Sequence, residues 1–423
     1  MTRALTTTAI LALLYGCSGE SGGPVFHSGG GTSGNLGQTG GTGGDTGATE
    51  PNVLAVVVDP GPQDIGYTNG LFATVTLCVP GTSNCQTIDH LLVDTGSTGV
   101  RVLESLITLP LPIVRDSSGQ ALAECTPFVD GTAWGPVKMA DVQLGGEAAA
   151  GLPIQLIGEK TYAMPTGCTG TAITDFQTLA ANGILGVGLY LQDCGAACAR
   201  PATSRSNPGV YYACTGPTSG CSVASVPTVQ QVPNPVAYFP VDNNGVIIQL
   251  PSISESGAPS VPGLLVFGIG TQANNGLGSA AVLALDGSGF TATAFPVGGT
   301  AYTSILDSGS NGLFFLDATT TGLNMCTGGL KDFYCPTATT ALSATMVTAS
   351  GSGARVDFSV ANASRLNANA FAFSNLAGAM PGFPGDPTLP AFDWGLPFYF
   401  GRSVYTAIES RNTHAGVGHY IAF

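Results

Sequence analysis

The chain reads as a mostly β protein folded in two lobes, and three features of its sequence predict this. Its apolar segments are short and separated by Gly, Asn, Asp and Pro, with 61 Gly and 28 Pro in all. That is the punctuation of many strands and few long helices. A length of 423 residues with 44% hydrophobic and only 9% charged residues supports a large core, beyond the usual size of one domain. The third feature is a duplication. Leu91-Leu92-Val93-Asp94-Thr95-Gly96-Ser97-Thr98-Gly99-Val100 returns 213 residues later as Ser304-Ile305-Leu306-Asp307-Ser308-Gly309-Ser310-Asn311-Gly312-Leu313. Each copy is an apolar run ending in Asp, then a hydroxyl residue, then Gly, which describes a buried strand leading into a tight loop with an acid at its tip. Two such loops face to face put Asp94 and Asp307 in one cleft.

In this pattern the chain resembles the pepsin-like aspartic proteases, whose two lobes each contribute a hydrophobic-Asp-Thr/Ser-Gly-Thr/Ser loop. The resemblance covers roughly the whole chain after residue 50. It implies a bilobal pepsin-like acid-protease fold, with two β-barrel-like lobes at 51–250 and 251–423 and a cleft between them. It also implies a catalytic dyad of Asp94 and Asp307, supported by Thr95, Gly96, Ser97, Ser308, Gly309 and Ser310. The two glycines let backbone N–H groups approach the carboxylates. Ser97 and Ser310 can donate to the outer oxygens, and Thr95 and Ser308 can cross-link the loops through hydroxyl-to-backbone bonds. The chain further resembles a group of exported bacterial lipoproteins of unknown function, a likeness that supplies no activity.

Taken in order, the chain begins with Met1-Thr2-Arg3 and a short apolar run from Ala4 to Tyr15, too short to span a bilayer and better suited to an export signal. Leu14-Tyr15-Gly16-Cys17 resembles the bacterial lipoprotein cleavage box, which makes residues 1–17 a signal peptide and Cys17 the lipid-bearing residue. An ordinary signal peptide cut nearby is the alternative. Ser18 rather than Asp after that Cys implies the outer membrane. Ser18 to Glu50 then holds 13 Gly among 33 residues. Such a stretch buries too little to fold and forms a disordered tether with a reach of about 30 Å.

The first lobe opens near Pro51. An alternating run from Leu71 to Val79, a Gly81-Thr82-Ser83-Asn84 turn and a return from Thr87 predict a hairpin feeding Asp94. Phe128-Val129-Asp130-Gly131-Thr132-Ala133-Trp134-Gly135 resembles the flap hairpin that folds over the cleft in pepsin-like enzymes, with Asp130-Gly131 as its turn. Phe128 stands where that family usually has a tyrosine, so the flap lacks a hydroxyl. Trp134 either substitutes through its indole N–H or only packs. Asn182-Gly183-Ile184-Leu185-Gly186-Val187-Gly188 resembles the segment that threads behind the first acid loop and braces it, with Gly186 at the close approach. Phe392-Asp393-Trp394-Gly395 resembles the second brace, although Asp393 intrudes where an apolar residue is usual. An insertion between Cys194 and Cys221 reads as a surface excursion.

Of 11 Cys, removing Cys17 leaves an even ten: Cys78, Cys85, Cys125, Cys168, Cys194, Cys198, Cys214, Cys221, Cys326 and Cys335. An even number in an exported chain suggests five disulfides. Sequence does not fix the pairing; the nearest-neighbour set 78–85, 125–168, 194–198, 214–221 and 326–335 requires only short loops. A metal reading of Cys194-Gly-Ala-Ala-Cys198 finds no nearby His. The net charge of −14, with only 12 Lys+Arg, excludes nucleic acid as a partner.

Two carboxyls about 3 Å apart cannot both ionise cheaply, so such a pair holds one proton. The ionised member can take a proton from a bridging water that attacks a peptide carbonyl, while the protonated member stabilises the oxyanion. Metal, cofactor and covalent nucleophile are not required. The sequence has no Gly-x-Ser-x-Gly elbow and no His-Glu-x-x-His. Of its four His, His27 falls in the tether and His90, four residues before Asp94, reads as structural. The expectation is an aspartic endopeptidase acting as a monomer on peptide or protein substrates, anchored to a membrane through Cys17. The alternative is a peptide-binding or interaction module on the same fold, without turnover.

Overall fold

The computed structural model describes residues 50–129, 131–216, 220–380 and 391–423. Cys17, the signal segment, the tether up to Thr49, and Asp130 lie outside the described residues. Strands dominate the rest, organised as a 16-stranded and a 7-stranded sheet with one small hairpin.

In the first lobe the strand Gly70–Cys78 pairs antiparallel with Cys85–Asp94, closing the expected hairpin, and also with the far end of Thr132–Leu144. This double pairing curls the sheet back on itself into a barrel-like shape. The strand Cys85–Asp94 changes character along its length. Its first half is largely open to solvent, whereas Leu91, Leu92, Val93 and Asp94 are buried on both faces. Parallel pairing with Gly183–Val187 accounts for the uninterrupted apolar run there.

The second lobe centres on the 7-stranded sheet, in which Thr300–Leu306 lies beside Phe392–Trp394. The lobes are not separate sheets. Val53–Asp59 from the start of the first lobe pairs antiparallel with Val261–Phe267, which pairs in turn with Gly245–Leu250 and, through it, with Arg402–Ala407. The expected lobe boundary at residue 250 therefore falls within a shared floor. One apolar cluster runs through both halves, holding Val93 and Leu185 behind the first acid and Leu306, Leu313 and Trp394 behind the second. Burying each such side chain contributes roughly 1.5–3 kcal/mol.

All ten remaining cysteines are bridged, in the nearest-neighbour set. Cys78–Cys85 closes the hairpin turn, and Cys125–Cys168 spans 43 residues to tie the flap-like hairpin to the segment that follows it.

Candidate active site

Each acid ends a strand that is braced from behind in the same way. In the first lobe Gly183–Val187 runs parallel to the acid strand, with Val93 opposite Leu185 and Asp94 opposite Gly186. It runs antiparallel to Thr98–Leu103, with Gly99 opposite Gly186. A Cβ on Gly186 would stand 2.8 Å from Gly99 N and Thr98 C, so only glycine lets the backbones pass. In the second lobe Phe392–Trp394 runs parallel to Thr300–Leu306 and antiparallel to Leu313–Phe315, and a Cβ on Gly395 would overlap the Gly312 carbonyl oxygen. Asp393 does not disturb this register.

The braced loops meet tip to tip. A Cβ on Gly96 would lie 2.7 Å from Asp307 Cγ, and one on Gly309 would lie 2.8 Å from Asp94 Oδ1. Each glycine thus lies against the opposite acid, and a Cβ on Gly309 would stand 2.8 Å from Asp94 Oδ1 and 3.1 Å from Asp307 Oδ1, which sets the two carboxyls face to face. Both carboxyls are wholly buried, and Gly96 is the one residue of the two Asp-Thr/Ser-Gly-Ser loops that is only half-buried. The supporting bonds repeat between lobes. Gly96 N donates to Asp94 Oδ1 at 2.7 Å and Ser97 Oγ donates to Oδ2; Gly309 N donates to Asp307 Oδ1 at 2.8 Å and Ser310 Oγ to Oδ2 at 2.9 Å.

Hydroxyls lock the loops to each other. Thr95 N donates to Ser308 Oγ at 3.1 Å, Ser308 N donates to Thr95 Oγ1 at 3.0 Å, and Ser308 Oγ donates to the Val93 carbonyl at 2.7 Å. A residue that no motif marked completes this lock: Tyr399 places its buried hydroxyl 3.0 Å from Thr95 Oγ1.

The two acids are electrostatically unequal. Burial raises Asp94, opposed by the hydrogen bonds from Ser97, Asp307 and Gly96 N and by the Arg101 charge. Asp307 rises well above the ordinary carboxylate range, from burial first and then from Asp94 and Asp393 beside it. The shared proton accordingly favours Asp307, leaving Asp94 as the more acidic member. Burial also lifts Asp393 to about 8. This arrangement can polarise a bound water or carbonyl with one carboxylate while presenting one acidic hydrogen.

The remaining predicted residues fall elsewhere. Ala121–Pro127 and Thr132–Leu144 do form a hairpin, closed by bonds between Phe128 and Gly131. The Phe128 ring packs into the first-lobe cluster with Phe72, Leu92 and Ile184. Trp134 spends its indole N–H on the Tyr162 carbonyl at 2.9 Å and sets its ring edge-on to Tyr212. It packs, and does not act as the donor weighed for it. A buried group absent from the expectations lies behind the first loop, where Arg101 donates to Glu124 at 2.7 Å and Asp193 at 3.0 Å, with the Tyr211 hydroxyl on Asp193. Their scatter across four segments of the chain left no readable motif. A cavity of about 610 Å³, lined by Gln249, Leu250, Pro262 and Arg402 among others, contains neither acid. Among the described residues no group of three or more His, Cys, Asp or Glu could hold a metal ion.

Two lobes sharing a sheet, with a braced acid loop from each meeting tip to tip, define a pepsin-like bilobal fold. The chain belongs to the family described as Protein of unknown function (DUF3443), whose model matches residues 48–423. No curated protein matches it. Among solved structures it is similar to an aspartic proteinase from Irpex lacteus, at 15% identity and a TM-score of 0.49, over 88% of this chain and 96% of that one.

Proposed function

We propose that the protein is an aspartic endopeptidase in which Asp94 and Asp307 share one proton and activate a water between them. The observation that carries this reading is the pair itself: two buried carboxyls set face to face at the loop tips, each held by a glycine N–H and a serine hydroxyl. A loop-capping aspartate has no need of a second acid, because the repulsion of two carboxylates costs stability once both ionise. Asp94 takes the proton from water, Asp307 donates to the developing oxyanion, and the roles reverse as the leaving amine is protonated.

Digestion of a peptide library from acid to neutral pH tests this. The wild type is expected to cleave, and Asp94→Asn and Asp307→Asn to lose at least about 100-fold in kcat. Cleavage by the variants at the wild-type rate would sink the proposal. Saturable peptide binding by an inert wild type would select the peptide-binding module instead.

The same reading places the enzyme at the bacterial cell envelope, tethered through a lipid on Cys17 and facing peptide or protein substrates. Complete pairing of the ten other cysteines supports an oxidising compartment. Incorporation of labelled fatty acid by wild type and not by Cys17→Ser is the expected result.

A further inference from the structure

Asn69 stands just ahead of the strand Gly70–Cys78 in the first lobe, wholly buried, and its side chain is spent on the second lobe. Its amide nitrogen donates to the Asn311 carbonyl at 2.8 Å and to the Phe373 carbonyl at 3.0 Å, while Phe373 N donates to Asn69 Oδ1 at 2.7 Å. Toward Phe373 the amide thus behaves as a peptide group, with a donor and an acceptor side by side. The Asn69 backbone sits at φ 57°, a left-handed conformation that Asn and Asp tolerate better than most residues. Asn311 is the fourth residue after Asp307 and directly follows Ser310.

The duplicated loops show what this contact does. In each lobe the carbonyl of the third residue after the acid is taken by the segment just beyond the brace strand: Ser97 O accepts from Gly188 N at 2.9 Å, and Ser310 O from Leu396 N at 2.7 Å. The carbonyl of the fourth residue is taken by a buried side chain. In the first lobe Arg101, seven residues after Asp94, donates to the Thr98 carbonyl at 2.5 Å. The seventh residue after Asp307 is Phe314, which lies opposite Asp393 as Arg101 lies opposite Ile184. Asp393 and Ile184 in turn lie beside Ile305 and Leu92, each two residues before its acid. Phe314 has no N–H or O–H on its ring. The donor missing from the second lobe arrives from the first, on Asn69. With two successive carbonyls held, each serine keeps its hydroxyl aimed at the outer oxygen of its acid.

Building on the dyad reading above, we propose that Asn69 is a positioning residue for the second acid: its amide holds the Asn311 carbonyl and through it the Ser310 hydroxyl on Asp307 Oδ2. Arg101 performs the same duty for Ser97 and Asp94. The three bonds of Asn69 require a carboxamide, because an aspartate side chain supplies acceptors alone.

Asn69→Asp keeps the shape and the tolerance of the left-handed backbone and removes both donors. Per folded molecule, kcat is expected to fall about 10- to 100-fold with KM little changed, as for a displaced catalytic group. In a Ser310→Ala background the same change is expected to cost almost nothing more, because the hydroxyl that Asn69 aims is already gone. Losses that simply multiply, or a raised KM at full kcat, would overturn the proposal. Asn69→Gly keeps the backbone conformation without burying a charge, and takes the same place in the cycle if the Asp variant does not fold. If neither folds, Asn69 serves to hold the lobes together and the positioning role falls. An inert wild type would count against the peptidase reading alone. The cycle is then read as urea midpoints: the double variant is expected to shift by less than the sum of the single shifts, and additive shifts would overturn the role of Asn69.

Discussion

Tyr399 shows how much of the site is set by single atoms. Its hydroxyl meets Thr95 Oγ1, which already accepts from Ser308 N across the lobe boundary. Removing it in Tyr399→Phe should cost about 1 kcal/mol of stability and loosen the first loop, lowering kcat more than it raises KM. A raised KM with kcat unchanged would instead show that Tyr399 serves substrate binding. Arg101 is a second such position. It is 1% exposed between two carboxylates, and its charge holds Glu124 low while burial and Glu124 push Asp193 up. Arg101→Met should cost about 3–5 kcal/mol in a urea titration, because the acids would be left buried without their cation. The dyad was legible in the sequence because its loop is written twice, as Asp-Thr-Gly-Ser and as Asp-Ser-Gly-Ser behind an apolar run. Tyr399 and Arg101 were not, since Tyr399 lies 304 positions from Thr95 and Asp193 lies 92 from Arg101. Nothing in local spacing links them.

At the scale of elements, strands, hairpins and both braces were readable from apolar runs and their glycines; the even cysteine count suggested five disulfides, and the structure selects the nearest-neighbour pairing that the sequence left open. The flap-like hairpin shows where such reading stops. Its strands form as predicted, yet the destinations of Phe128 and Trp134 depend on Ile173, Tyr162 and Tyr212, which arrive from other segments. The bridge that holds those segments together is Cys125–Cys168, the longest loop of the five at 43 residues. Chain entropy assigns its removal about 4 kcal/mol, against about 2.5 kcal/mol for Cys78–Cys85 with a separation of 7. Paired Cys→Ser variants compared by thermal unfolding should show that order. Gly186→Ala should be worse than either at the site, since its new Cβ would press on Gly99 N and displace the loop that carries Asp94. Loss of cleavage with the fold retained is the expected reading.

For the whole molecule the buried acids set the response to pH. Folded Asp393 keeps its proton to about 8, whereas an unfolded aspartate releases it near 3.8. The folded state therefore binds more protons across that window, and stability falls as pH rises through it. Asp94, Asp193 and Asp307 act in the same direction. The exposed caps Asp175 and Asp317, held below the usual range by backbone N–H groups, oppose this only at more acidic pH. The unfolding temperature should decline from pH 5 or so toward neutrality, and less steeply in Asp393→Asn; a rising curve would contradict the protonation pattern. Because each loop takes its shape from hydroxyls on the other, neither half of the chain can build the site alone. The two tryptophans of the sequence happen to report on this separately. Trp134 lies in the first lobe against Tyr212, and the Trp394 carbonyl accepts from Asp307 N in the second. Single-tryptophan variants would give each lobe its own fluorescent clock during refolding, with catalytic competence appearing only after the slower one has stopped.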